Sequence, residues 1–299
     1  MKRQPRSTKK QSRHLPPVRR NAEMNWGVAT ASKIGGFLAG EDFWRGVVAI
    51  VAFLIFWEAG SRSSSWLGFA LPWISKIPPP VAVLQELFKL VQDPSFWQSA
   101  FLSTLRVFEG FFAAMLVGIP LGLAMAVSRT FYGITFPVFE VLRPIPPLAW
   151  VPASIIFWPT QELSIAFVTF LGAFFTIVIN VVGGAQSIDV RYFQAARSMG
   201  SSTWDIFRRI ILPATLPSMA VGATVGVGIT WAVVVAAEMI SGGGSGAGGG
   251  LGFFIWNSYV GGSYTQIVAG MISIGIAGYI SSAVLRKAGT WATPWLNEG

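Results

Sequence analysis

Six apolar runs, nearly bare of charge, decide what this chain can fold into. They cover Phe43–Gly60 and residues 101–127, 133–158, 162–183, 215–239 and 265–286. About 20 apolar helical residues cross a hydrocarbon core of about 30 Å. Inside that core a helix satisfies all its backbone hydrogen bonds within one segment, which an open sheet cannot do. The chain is 53% hydrophobic and 12% charged, against about 25% charged in a soluble domain. So much apolar surface cannot all be buried in a soluble core of this size. The sequence therefore predicts an all-α membrane protein with six transmembrane helices and both termini on the same side.

The reactive side chains are as informative by their scarcity. There is no Cys, and the only His is His14, in the N-terminal tail. Disulfides, thiolate nucleophiles and Cys-held zinc are thereby excluded, and most His-based metal sites, triads and proton relays are removed. No cofactor or metal is expected on this chain, and no catalytic residue is assigned.

One polar island interrupts the apolar runs, DVRYFQAARSMGSSTWDIFRRIILP from Asp189 to Pro213. Ile188, Tyr192, Ala195, Ala196 and Met199 recur at three- and four-residue steps and predict one apolar helix face. Gly200 suits a C-terminal cap with positive φ. Ser202 and Asp205 have the spacing of a capping box that opens a second helix. Trp204, Phe207, Ile210 and Ile211 form that helix's apolar stripe, Arg208 and Arg209 point away from it, and Pro213 is expected to end it. The pair reads as a helix–turn–helix lying on the membrane surface, either a docking element or a foot packed under its own bundle.

The spacing Ala195-Ala196, Gly200, Ile210, Leu212-Pro213 resembles the EAA loop of ABC-importer permeases. In that family the loop is the cytoplasmic coupling element that seats in a cleft of the ATPase subunit. The resemblance implies a coupling loop over residues 186–214, with Gln194, Ala195, Ala196, Met199, Gly200, Trp204, Phe207 and Arg208 as its contact residues. The usual Glu of the motif is Gln194 here, so an ion pair made by that Glu is not carried over.

Charge orients the bundle independently. With a cytoplasmic N-terminus, ten cations up to Arg45, then Arg129, four in the hairpin, Arg286 and Lys287 lie inside, seventeen of the 22 Lys and Arg residues. Arg62, Lys76 and Lys89 lie outside. This bias is the positive-inside pattern, and it places the polar island in the cytoplasm. Residues 1–40 are expected to be a flexible basic cytoplasmic arm held near anionic lipid. Nothing aromatic is interleaved among its charges, so nucleic acid is not expected as a partner. No cleavage site follows Arg19-Arg20, so the tail is expected to be retained. Residues 41–290 are the membrane domain and 291–299 a short cytoplasmic tail. Before the second run, Ile77-Pro78-Pro79-Pro80 breaks the chain, and Val81–Val91 predicts a short amphipathic helix with Glu86 and Lys89 on its polar side.

Charges within spans are costly unless paired or hydrated. Arg106 and Glu109, three residues apart, are expected to form an ion pair, as are Glu140 and Arg143. Pro144, Pro146 and Pro147 follow Arg143 at once, remove backbone donors, and must break or kink that span. An Arg at such a break suits either an anion site or a structural pair. Glu238 is read as a gating or structural carboxylate, with a basic partner across a dimer as one option. Trp231 either faces a path or packs. Glycines in the spans, such as Gly122, Gly183, Gly222, Gly228 and Gly275, predict close helix approach. Gly244, Gly246 and Gly249 form a GxGxxG with no strand before it, so an external loop is expected, followed by a short helix over Phe253–Tyr259.

Glu140–Pro152 (EVLRPIPPLAWVP), residues 228–240 and Gly250-Leu251-Gly252-Phe253 resemble the permease branch that handles nitrate, sulfonates, taurine and bicarbonate. The resemblance covers roughly residues 95–295. It implies the type I ABC importer permease architecture, a second permease subunit (a homodimer in the simplest case), two cytoplasmic ATPases that hold ATP and Mg, and an external substrate-binding protein. It further implies a bacterial inner-membrane location and alternating access along a path, here assigned to Arg143, Glu140, Pro146, Trp150, Trp231 and Glu238. An ion-coupled secondary transporter is the rival from another class. It usually shows internal repeats and mid-membrane relay groups, and neither is seen here.

Overall fold

The computed structural model describes residues 41–63, 76–241 and 249–296. Among these the chain is all-helical. Helix α1 is Glu41–Ser61, α2 Pro80–Gln92, α3 Pro94–Val127 and α4 Arg129–Leu142. A 3-10 turn, Pro147–Trp150, leads into α5, Val151–Phe157, and α6 spans Gln161–Gln186. Then come α7, Val190–Ser198, the long α8, Thr203–Ser241, α9, Leu251–Val260, and α10, Tyr264–Ala292. The basic arm and the glycines at 244 and 246 fall outside the described residues.

Five helices are long and apolar enough to cross a membrane: α1, α3, α6, α8 and α10. The remaining expected span, 133–158, is not one helix. It divides into α4, the 3-10 turn and α5, because Pro144, Pro146 and Pro147 cannot donate to the ladder. Pro146 sits at φ −57°, ψ 135°, which takes the chain out of helical geometry.

Helix α6 is the centre of the bundle, flanked by α3 and α8. Val168, Ala173, Ile177, Val178 and Val181 on α6 have no exposed surface. Close approach depends on small residues: a Cβ on Gly110 of α3 would lie 2.2 Å from Thr169 Oγ1, and one on Gly222 of α8 2.8 Å from Asn180 Cβ. In lipid such contacts supply the packing that the hydrophobic effect supplies in water. Gly183, Gly228 and Gly275 do not take part, since a Cβ there meets nothing within 4 Å. Helix α2 lies against the bundle through Val83 and Leu90. Its Glu86 bonds Lys89 at 3.3 Å and accepts from the Gln266 amide of α10 at 2.9 Å. That amide holds the Glu86 carboxyl below its usual range.

Candidate functional site

At one end of the bundle the Asp189–Pro213 island folds as a helical hairpin. Asp189 caps α7 by accepting from the Arg191 N–H at 2.9 Å. Helix α7 closes in a Schellman motif: Gly200 N donates to Arg197 O and Ser201 N to Ala196 O, both at 3.0 Å. Gly200 takes φ +77°, as that motif needs. The expected capping box is formed, with Ser202 N donating to Asp205 Oδ2 and Asp205 N to Ser202 Oγ, both at 3.2 Å.

One expectation is corrected. Pro213 does not end the second helix. A π turn over Phe207–Ile211 absorbs the missing proline donor, and the helix runs unbroken from Thr203 to Ser241. The apolar face that periodicity marks on α7 is divided between bundle and surface. Ala196 is buried and Phe193 packs on the core, while Tyr192 is 64% and Met199 79% exposed. Trp204, 66% exposed, stacks on Phe207 at 5.4 Å. Gln194, Ala195, Gly200 and Arg208 are also on the exposed side, whereas Ala196 and Phe207 face inward.

At the opposite end of α8 lies a buried ionic cluster. Glu238, with no exposed surface, accepts from Arg106 Nη1 at 2.9 Å, Ser103 Oγ at 2.8 Å and Gly252 N at 2.9 Å. Arg106 turns its other edge to Glu162, with Nε at 2.9 Å and Nη2 at 2.6 Å. Ser103 Oγ in turn accepts from Leu251 N at 2.8 Å. Helix α9 is preceded by Gly250 at its N-cap, which has no side chain to cap it. Its orphan N–H groups are satisfied by side chains of α8 and α3 instead. The cluster therefore ties α3, α6, α8 and α9 together.

This overturns the local pairing expected for Arg106. Its partners are Glu162 and Glu238, 56 and 132 positions away, rather than Glu109. The partner of Glu238 likewise belongs to the same chain and not to a second copy. Sequence reasoning missed Ser103 and Glu162. The available signal was depth: Arg106, Glu162 and Glu238 all fall near the same ends of their spans. The Gly250-Leu251-Gly252 run has its explanation here too. A Cβ on Gly252 would sit 2.2 Å from Val235 O, a backbone atom that cannot swing aside. Gly252→Ala is expected to pull α9 off Glu238 and reduce the yield of folded protein several-fold, measured as monodisperse material after detergent extraction; an unchanged yield would show the contact to be pliable.

At the helix break, Arg143 Nη1 bonds Glu140 Oε1 at 3.0 Å with both side chains nearly half exposed. Pro146 is exposed and Trp150 half-buried. The Trp150 indole N–H is buried with no acceptor among the described residues. Trp231, grouped with these in the sequence reading, lies inside the bundle, 3% exposed, with its indole N–H donating to Ser281 Oγ at 3.2 Å. Among the described residues no cluster of metal-ligating side chains occurs.

Residues 118–297 match the family model described as "Binding-protein-dependent transport system inner membrane component", and the chain belongs to that family. It is 36% identical to the nitrate import permease protein NrtB of Leptolyngbya laminosa, over 69% of this chain and 75% of that protein. It is 33% identical to the taurine transport system permease protein TauC of Escherichia coli, over 78% of this chain and 86% of that one. The fold matches a chain of the MetNI methionine ABC transporter in an inward-facing conformation, with a TM-score of 0.57 at 20% identity, over 67% of this chain and 99% of that one.

Proposed function

We propose that this chain is the permease of an ATP-driven importer for a small anion, nitrate first, then taurine or another sulfonate, with bicarbonate as the alternative cargo. The observation that carries this reading is the hairpin: a rigidly capped element that leaves Tyr192, Met199 and Trp204 uncovered. Large exposed apolar side chains beside Arg191, Arg208 and Arg209 suit a protein partner better than solvent. The hairpin would seat on a cytoplasmic ATPase, one for each of two permease copies, and ATP and Mg would be held there. Both termini would then be cytoplasmic, in a bacterial inner membrane. An external binding protein would deliver cargo to the opposite face. Access would alternate between the two sides, with the remaining N–H groups of Arg143, which Glu140 engages through Nη1 only, and the free Trp150 N–H offering donors at the helix break. The similarity to nitrate and taurine permeases supports the choice of cargo.

Co-purification from the native membrane tests the assembly. An ATPase subunit is expected to follow the wild-type chain and to be lost from a Met199→Glu/Trp204→Glu double variant that remains folded; equal recovery would refute the hairpin's role. In vesicles holding the assembled complex, Arg143→Ala is expected to lower nitrate uptake about tenfold, the effect of losing about 1.4 kcal/mol of binding. Normal uptake would remove Arg143 from the path.

A further inference from the structure

Beside the hairpin two cavities share a wall, and their linings differ in kind. The first is an apolar groove of about 620 Å³, lined by Pro120, Leu123, Ala124 and Val127 of α3 and by Trp204 and Phe207 of α8. That volume is in the range of ligand clefts. Val127 and Thr203 also line the second cavity, about 410 Å³, together with Ala185 of α6 and with Arg197 and Ser201 of the hairpin. Arg197 is exposed and has no carboxylate partner among the described residues, and the hydroxyls of Ser201 and Thr203 are likewise uncommitted there. An apolar trough thus adjoins a mouth that holds a cation and two hydroxyls. The depth of this pair says what fills it. Helix α3 carries no charge from Gly110 to Ser128, and α6 none from Leu163 to Gln186, each about one crossing of the hydrocarbon core. Val127 and Ala185 end those runs, so the shared mouth stands at the membrane surface on the hairpin side. The rest of the trough lies along the last turns of α3 inside that surface, where acyl chains are the solvent. A basic pocket between helices at that level suits a lipid headgroup.

We infer that the groove holds an acyl chain of an anionic phospholipid from the leaflet on the hairpin side, and that Arg197, with Ser201 and Thr203, receives its phosphate. Both cavities are built by this chain alone, so the inference goes beyond the importer reading and does not need it. The lipid braces the start of α8 against α3, which makes the position of the hairpin depend on headgroup charge.

The chain has no Cys, so one introduced thiol reports the mouth. Thr203→Cys and, separately, Ser201→Cys each keep Arg197 and the other hydroxyl. The full chain is placed in nanodiscs of phosphatidylcholine alone or mixed with phosphatidylglycerol, and reaction with N-ethylmaleimide is timed. Ser198→Cys, exposed on α7 and outside both cavities, measures what surface charge alone does to a thiol. Phosphatidylglycerol is expected to slow the mouth thiols about tenfold more than Ser198→Cys, the protection given when about nine-tenths of the sites are filled. Arg197→Gln is expected to abolish that excess. Equal slowing at the mouth and at Ser198→Cys, or an excess that survives Arg197→Gln, overturns the inference. Protection by inorganic phosphate in phosphatidylcholine discs would make the site a simple anion pocket, and protection that appears only with an ATPase subunit bound would give the groove to that partner; either result also overturns it. The measurement needs neither cargo nor ATP, so its failure falls on the lipid site alone, whereas failure of an ATPase to co-purify with the wild-type chain falls on the importer reading.

Discussion

Glu238→Ala is expected to cost about 3–5 kcal/mol of stability, the loss seen when one member of a buried ion pair is removed and its partner is left uncompensated. Three donors lose their acceptor together: Arg106 Nη1, Ser103 Oγ and the Gly252 N–H. Arg106 would keep Glu162, whose side chain is 47% exposed, so part of its charge stays matched. The start of α9 has no such reserve. The outcome is read as the temperature at which half of the detergent-extracted protein aggregates, which should fall by several degrees or more. Glu238→Gln should fall less, because its side-chain oxygen can still accept from Gly252. The double variant Arg106→Met/Glu238→Leu leaves only Glu162 without its partner, and that side chain is 47% exposed and open to hydration, so it should be less damaged than Glu238→Ala. If Glu238→Ala melted with the wild type, the cluster would have to be hydrated rather than sealed.

The second large effect is expected at Gly200. At φ +77° any L side chain is strained, by about 1–2 kcal/mol, and a β-branched one by more. Space is not the obstacle, because a Cβ there meets nothing within 4 Å. Gly200→Val should therefore distort the turn between α7 and α8 without unfolding the bundle. Asn tolerates left-handed geometry, so Gly200→Asn should stay near the wild type. In the reconstituted complex, the binding-protein stimulation of ATP hydrolysis is expected to drop about tenfold for Val, matching about 1.4 kcal/mol. Equal losses for Val and Asn would mean that φ is not the cause, and no loss for either would detach the turn from coupling.

What could be read from the chain followed the range of the interactions involved. The capping box at Ser202 and Asp205, the αL glycine at 200, the amphipathic α2 and the break after Arg143 are all set within a few residues, and each stands where the sequence placed it. Arg106 shows the limit. A carboxylate three residues away looked sufficient, yet the bundle brings Glu162 and Glu238 to it from other helices. Pro213 failed for a different reason. A proline was expected to end the helix, but a π turn upstream accommodates its ring and missing donor, and no residue pattern announces that turn. Tyr192 and Met199 lie on the face that periodicity marks as apolar, but such a pattern does not say whether the face meets its own bundle or another protein.

The unbroken run from Thr203 to Ser241 has a mechanical consequence. Trp204, on the uncovered tip, and Glu238, in the sealed cluster, belong to one rod of 39 residues, about 58 Å long at 1.5 Å per residue. The helix is continuous between the two ends, so a push or twist on the indole is carried toward the carboxylate along the shaft and not across a loop. The wide turn at Phe207–Ile211 and Pro217, inside the helix, are the places where that thrust could be taken up, as a change of register at the first and a bend at the second.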